Sequence, residues 1–362
     1  MPIILPAGLP AADSLRAEGF EVLEAPDRLA DERTLKIALL NIMPKKPETE
    51  TQIARLLAGT SLPVALSLLL PDGYRPRTAD PAHLARHYRR WSEARRERFD
   101  GLIITGAPVE TLAFEAVDYW PALTRILDWA ARETLGSLHI CWAAQAALYH
   151  FHGVPKRALP EKCFGVFPQR VLAPDAPVLQ GFGERFPVPV SRYTEVAADD
   201  LPRHRGLELL ADSPESGLCL VEDKPRRALY MFNHWEYDAA TLAEEYERDR
   251  AADLGTALPR NAFPDNDPRR APTNGWRPQA RLFFANWLRL LAARRGESRE
   301  FLARRARPAE SDRSSCPSSP SATRTGRPRP SSPCWARPVS TWFSTSAPAR
   351  ARDTTRSSTA GP

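Results

Sequence analysis

No stretch of this 362-residue chain approaches the roughly 20 consecutive apolar residues that a membrane-spanning helix needs. The first ten residues, MPIILPAGLP, have no basic n-region, and Pro6 and Pro10 break their apolar run, so no signal peptide is read there. Cysteine is scarce: Cys141, Cys163, Cys219, Cys316 and Cys334 are odd in number, widely spaced and never in a CxxC pair. That excludes a disulfide framework and offers zinc no knuckle. The expectation is a reduced cytoplasmic protein with no membrane segment and no metal. A body of one charge is missing too. The net charge of +6 suggests nucleic acid, but residues 296–362 hold twelve Arg, no Lys and five acidic residues, a net of +7. The rest carries 38 basic against 39 acidic residues, so the main body has no electrostatic footprint for nucleic acid.

What is present is ordinary globular composition, 43% hydrophobic and 26% charged, with enough length for one large core. LKIALLNI (35–42), PVALSLLL (63–70), GLIIT (101–105) and SLHI (137–140) read as short strands. Between them, Leu84, His87, Tyr88, Trp91 and Phe99 share a stripe among arginines and predict one helix with a solvated Arg-rich face over 86–98. Residues 119–134 and the run WAAQAALYHF after Cys141 predict two more. From 156 to 233 the runs CFGVFPQRVL, FPVPVSRYTEV, GLCLVED and RALYMF predict antiparallel or mixed additions to the same sheet, and helices are expected over 238–252 and 279–295. This alternation implies an α/β fold, a mostly parallel sheet with helices on both faces, whose site gathers at the carboxyl ends of its strands. From Gly296 apolar periodicity disappears. Residues 1–295 are therefore expected to form the catalytic domain, and 296–362 an Arg/Ser/Pro-rich low-complexity tail that cannot bury enough surface to order itself. Reading GC-rich codons out of frame yields the same composition.

Cys141 stands between a buried strand and a helix. Unpaired amides at a helix N-terminus stabilise a thiolate, and the turn lifts the sulfur out of the sheet as a nucleophile elbow. The Trp142 N–H then faces the oxyanion of a tetrahedral intermediate, with a second donor from the Thr105-Gly106-Ala107 loop, taken as Ala107. A thiolate needs a base. His83, His87 and His204 are expected to be solvated, His139 lies two residues before Cys141, and His150 and His152 are expected to cap the helix. His234 stands out because Glu236, two residues on, shares its side of extended backbone and can fix its tautomer. A strand–Cys–helix elbow with a late His-x-Glu resembles the class I glutamine amidotransferases, a flavodoxin-like arrangement, and His-Ile-Cys-Trp-Ala-Ala-Gln shares their Cys-x-x-x-Gln spacing. The flanking Ile140, Trp142 and Ala143 replace their usual glycines.

Six ordered stretches carry a more specific likeness: ALLNIMPKKPETETQ (38–52), TGAPVETLAFEAVDYW (105–120), HICWAAQAALYHFHGVPK (139–156), EKCFGVF (161–167), SRYTEV (191–196) and MFNHWEYDAATLAEEYERD (231–249). The chain to about residue 295 resembles the homoserine O-acyltransferase family, in its cysteine-dependent, amidotransferase-like branch. That resemblance implies Cys141 as acyl-thioester nucleophile, His234 as general base and Glu236 as its orienting carboxylate. It implies Lys162, Ser191 and Arg248 as substrate-binding residues, a homodimer, and L-homoserine and an acyl-CoA as substrates with no permanent cofactor. It links Glu110 to donor choice, glutamate resembling the acetyl-CoA type and glycine the succinyl-CoA type. The physics agrees, because a carboxylate at the acyl pocket repels the terminal carboxylate of succinyl and not an acetyl methyl. The expectation is acetyl transfer to homoserine, with succinyl transfer, glutamine amide transfer and, more remotely, nucleic-acid binding as alternatives.

Overall fold

The computed structural model describes residues 2–24, 32–202 and 206–306, the last eight by backbone alone. His204 and residues 307–362, which include most of the expected tail, lie outside the described residues.

One sheet runs through the described chain. Its first strands are β1 (Ile3–Leu5), β2 (Val22–Glu24), β3 (Leu35–Leu40), β4 (Val64–Leu70), β5 (Tyr88–Arg90), β6 (Gly101–Ile104) and β7 (Gly136–Ile140). Then come β8 (Arg157–Val171), β9 (Arg185–Glu195), β10 (Leu207–Ser213), β11 (Gly217–Asp223) and β12 (Ala228–Met231). Across the sheet the order is β2-β1-β4-β3-β6-β7-β12-β11-β10-β8-β9, with β5 beside β4. Neighbours from β2 to β12 run parallel. From β12 to β9 they run antiparallel. The stretch from 156 to 233 thus extends the same sheet, as expected.

The helices are α1 (Pro10–Ala17), α2 (Lys46–Ala58), α3 (Pro81–His87), α4 (Trp91–Ala94), α5 (Trp120–Glu133), α6 (Trp142–His152), α7 (Thr241–Ala251) and α8 (Arg277–Ala306). Side chains alternate across each strand, so a strand buried on both faces feeds two cores. Leu35, Ile37 and Leu39 of β3 pack with α1, α2 and α8, while Ala38 and Leu40 pack with α4, α5 and α6. Helices therefore cover both faces. α6 is buried on every side from Trp142 to Leu148, and apolar there except for Gln145, as suits a helix that lies deep in the protein. Gly153, at φ 69°, ends it in the left-handed conformation that glycine takes without cost.

Three local expectations are corrected. The Arg-rich segment is not one helix, because Tyr88–Arg90 turns extended and pairs with Leu68–Leu70. β1 covers only the start of that edge of β4, at Val64 and Ala65, and leaves the rest open; pairing with it outweighs the helical stripe. His83 and His87 are consequently not solvated. His83 Nε2 lies 2.9 Å from Glu50 Oε1, and His87 is buried, which lowers its pKa. The last helix also runs on through Ala306, past the expected end at 295. After Gly296 the sequence ESREFLARRA holds good helix formers and no proline before Pro308, so nothing local stops it. The edge unit β1-α1-β2 was not anticipated; Pro10 starts its helix, where a missing N–H costs nothing.

Candidate active site

β7 and β12 are parallel neighbours with Ile140 opposite Met231. Their carboxyl ends therefore emerge side by side, and this register brings two distant segments together. Cys141 is the first residue beyond β7 and its N–H donates to Met231 O at 2.7 Å. His234 follows β12 by three residues, its own N–H held by Pro189 O of β9 at 2.9 Å. Cys141 sits at φ 53°, ψ −113° as the N-cap of α6. That left-handed conformation costs a residue with a Cβ about 1–3 kcal/mol, and it aims the side chain away from the sheet.

Cys141 lies beside His234, close enough for its sulfur to raise the imidazole pKa, and His234 Nδ1 lies 2.7 Å from Glu236 Oε1. Trp235 points the other way, into a cluster with Phe182, Phe186 and Phe283, and so anchors the segment. The alternation places His234 and Glu236 on one side, as expected. Burial works against a charged imidazole, but Cys141 and Glu236 more than offset it and hold the His234 pKa well above the ordinary histidine value. All three side chains are nearly buried. Glu236 Oε2 has no hydrogen-bond partner among the described residues.

Gly106, in the loop after β6, closes on this pair. A Cβ there would lie 3.3 Å from Cys141 Cβ and 3.4 Å from His234 Cε1. Ala107 follows it and is buried. The Trp142 N–H, in the first turn of α6, has no acceptor within the helix. The same loop carries Glu110 onto β9, where its Oε2 accepts from Tyr193 N at 2.9 Å and Thr194 Oγ1 at 3.3 Å. Burial raises the Glu110 pKa, opposed by those donors and by the nearby His234. The single Thr194 hydroxyl proton is shared with Gln145 Oε1, which lies 2.9 Å from Oγ1 and ties the loop to α6.

Lys162, Ser191 and Arg248 come together too, through two acids of α7. Lys162 Nζ is 2.9 Å from Asp249 and 3.6 Å from Glu245. Ser191 Oγ donates to Glu245 at 2.6 Å, and Arg248 pairs with Asp249. Between Ala158 and Cys163 four residues of β8 pass one of β9, and Lys162 ends that arch. Tyr237 joins the cluster to the cysteine site: its ring stacks on His234 at 4.2 Å and its hydroxyl donates to Glu245 at 2.8 Å. Tyr237, Glu245 and Asp249 were not anticipated. The signal for the acids is their i, i+4 spacing in EEYERD beside Arg248, which by itself reads as a solvated helix face.

The remaining histidines are elsewhere. His139 is buried against Ser137 and Tyr230, and burial pushes its pKa down to about 3. His150 and His152 do not cap α6; they bond Asp128 and Asp223. Burial pushes the Cys163 and Cys219 thiols upward, which keeps them unreactive. Among the described residues no cluster of His, Cys, Asp and Glu could hold a metal.

Fold and site together define an α/β protein with a cysteine–histidine–carboxylate relay on a strand–helix elbow. Comparison with known proteins narrows this. The family model described as homoserine O-succinyltransferase matches residues 2–296, and the chain belongs to that family. It is 51% identical over 289 residues to a homoserine O-acetyltransferase of Rhizorhabdus wittichii, covering 80% of this chain and 90% of that one. It is 48% identical to a homoserine O-acetyltransferase of Hyphomonas neptunium, covering 80% and 95%. The Brucella canis protein of that name is 49% identical, covering 80% and 94%. Among solved structures, a glutamine amidotransferase from Thermotoga maritima shares 11% identity at a TM-score of 0.45, covering 72% of this chain and 99% of its own.

Proposed function

We propose that the chain is a homoserine O-acetyltransferase that passes acetyl from acetyl-CoA to the hydroxyl of L-homoserine through a Cys141 thioester. The observation that carries this is Cys141 at the elbow beside His234, whose Nδ1 Glu236 holds at 2.7 Å. Imidazolium beside the sulfur favours thiolate, which attacks the acetyl carbonyl. The N–H groups of Trp142 and Ala107 serve the oxyanion. As the intermediate collapses, CoA leaves as a thiol with the proton from His234. Homoserine then enters, its hydroxyl gives a proton to His234, and its oxygen takes the acetyl group while Cys141 is released.

The relay explains why one histidine serves both halves. While Cys141 is a thiolate, its charge raises the imidazole pKa; once the sulfur is acylated that charge is gone, and burial favours the neutral imidazole that a base must be. Lys162 and Arg248 suit the homoserine carboxylate, and Glu245 and Asp249 its ammonium group, with Ser191 between them. A free catalytic thiol fits the reducing cytoplasm. A homodimer is kept as part of this reading, to be checked by sedimentation.

The family description names succinyl transfer, so the donor is the second question. Glu110 favours acetyl. A succinyl group would bring a second carboxylate to a site where burial already raises the pKa of the first, and two carboxylates cannot both ionise cheaply there. CoA release is measured with acetyl-CoA and with succinyl-CoA, each with and without homoserine. Homoserine-dependent release from acetyl-CoA is expected, and its loss in Cys141→Ala. Turnover of succinyl-CoA alone would overturn the donor assignment, and undiminished activity in Cys141→Ala would overturn the mechanism.

A further inference from the structure

Along the carboxyl edge of the sheet the strands stand in the order β4-β3-β6-β7, and Cys141 follows the last of them. The loop after β6 presses Gly106 on Cys141 and continues into Pro108 and Val109. The loop after β3 brings Met43 Sδ to 3.6 Å from where a Gly106 Cβ would lie, with Ile42 and Pro44 on either side. Those flanking residues, Ile42, Pro44, Pro108 and Val109, also line a cleft of about 710 Å³. The cleft therefore shares two loops with the cysteine site and extends to the loop after β4. A volume of this size is that of a ligand pocket, roughly 300–1,000 Å³.

Its far end is the loop after β4, which puts Arg75 and Arg77 into the lining. Both are exposed, and among the described residues neither has an ion-pair or hydrogen-bond partner. Their loop is nonetheless braced. Arg90 donates to Pro71 O at 2.9 Å and Tyr74 O at 2.7 Å. The Tyr74 hydroxyl donates to Ile42 O at 3.3 Å, and Thr78 Oγ1 donates to Pro44 O at 3.1 Å. Pro76 fixes φ between the two arginines. Asp118 brings the opposing charge to the lining, one carboxylate against two guanidiniums. Away from the arginines the walls are apolar, with Val109, Leu112 and the Tyr119 ring, which contacts Tyr74 edge-on at 4.8 Å.

A cleft with apolar walls and free guanidiniums at one end, built on two of the loops that frame the nucleophile, suits a long thioester arm that ends in phosphates. We propose that this cleft holds the CoA portion of the acyl donor. Arg75 and Arg77 take its phosphates, and the pantetheine arm lies along Val109 and Leu112. The thioester reaches Cys141 between the loops at 41–45 and 105–110. The proposal rests on the acyl-CoA reading above and adds where the donor lies.

Calorimetric titration of CoA and of pantetheine into wild type, Arg75→Ala, Arg77→Ala and the double variant tests it. Each single variant should weaken CoA about ten-fold, the worth of one charge-assisted hydrogen bond, and leave pantetheine, which has no phosphate, unchanged. Added salt should weaken CoA binding more in wild type than in the double variant. Equal CoA affinity in wild type and double variant overturns the proposal, as does an equal loss for both ligands. Arginine-dependent CoA binding without homoserine-dependent CoA release would uphold this site and sink the transfer reading. Homoserine-dependent release with an acetyl-CoA KM indifferent to both arginines would do the reverse.

Discussion

Cys141 and His234 lie 93 positions apart, and the first bears on the charge of the second. The His234 pKa is raised although burial opposes it, because the Cys141 sulfur and the Glu236 carboxylate sit on either side of the ring. Remove one of those negative groups and the pKa must fall. Alkylating Cys141 with iodoacetamide replaces the thiolate by a neutral thioether, as acylation does in the reaction. The His234 ring resonance, followed by NMR across pH, should then titrate at a lower pH than in the untreated protein. An unchanged midpoint would mean that the sulfur does not carry the charge that holds the proton on His234, and the two-role account of the histidine would fail. Gly106 shows how little room this pairing leaves: any Cβ there would press on the cysteine and the imidazole at once.

At the scale of elements, the strands buried on both faces were legible because continuous apolar runs such as VALSLLL fit little else. Cys141, His234 and Glu236 were legible for a related reason, since a strand end, a helix start and a two-residue spacing are local features. What was not legible depends on partners distant in sequence. β5 exists because an edge of β4 was open, and Glu245 and Asp249 acquire meaning only when β8 and β9 bring Lys162 and Ser191 to them. Lys46 is another such case. In MPKKPETE it reads as loop charge, yet it is the first residue of α2, fully buried, with Nζ donating to Asn41 O and Met43 O at 2.8 Å. Burial lowers its pKa from 10.5 to about 7 against the pull of Glu50. A lowered lysine destabilises the fold most at acid pH. Between pH 7 and 10.5 the unfolded chain keeps a proton that the folded one has released, so folding stability rises with pH across that window. The slope is at most about 1.4 kcal/mol per pH unit for one group. Urea unfolding at pH 7 and pH 9 should show wild type gaining stability relative to Lys46→Met. A difference that stays flat between the two would show that Lys46 keeps its proton in the folded protein.

For the whole molecule, the distribution of charge and the placement of α8 point the same way. The site residues, the two cleft arginines included, all fall between Ile42 and Asp249, in a body whose net charge is close to zero. α8 is fastened at the opposite edge of the sheet. Arg294 donates to Leu135 O at 3.0 Å, just before β7 begins, and Arg295 to Thr34 O at 2.9 Å, just before β3. Those are the amino ends of strands whose carboxyl ends carry the site. The family match likewise ends at residue 296. A chain ending at Ala306 keeps every one of these contacts and drops most of the surplus positive charge. It should therefore match the full chain in melting temperature and in kcat/KM for both substrates at physiological salt. If the shortened chain loses activity while its melting temperature holds, residues 307–362 take part in the reaction. If the melting temperature falls with it, they take part in the fold.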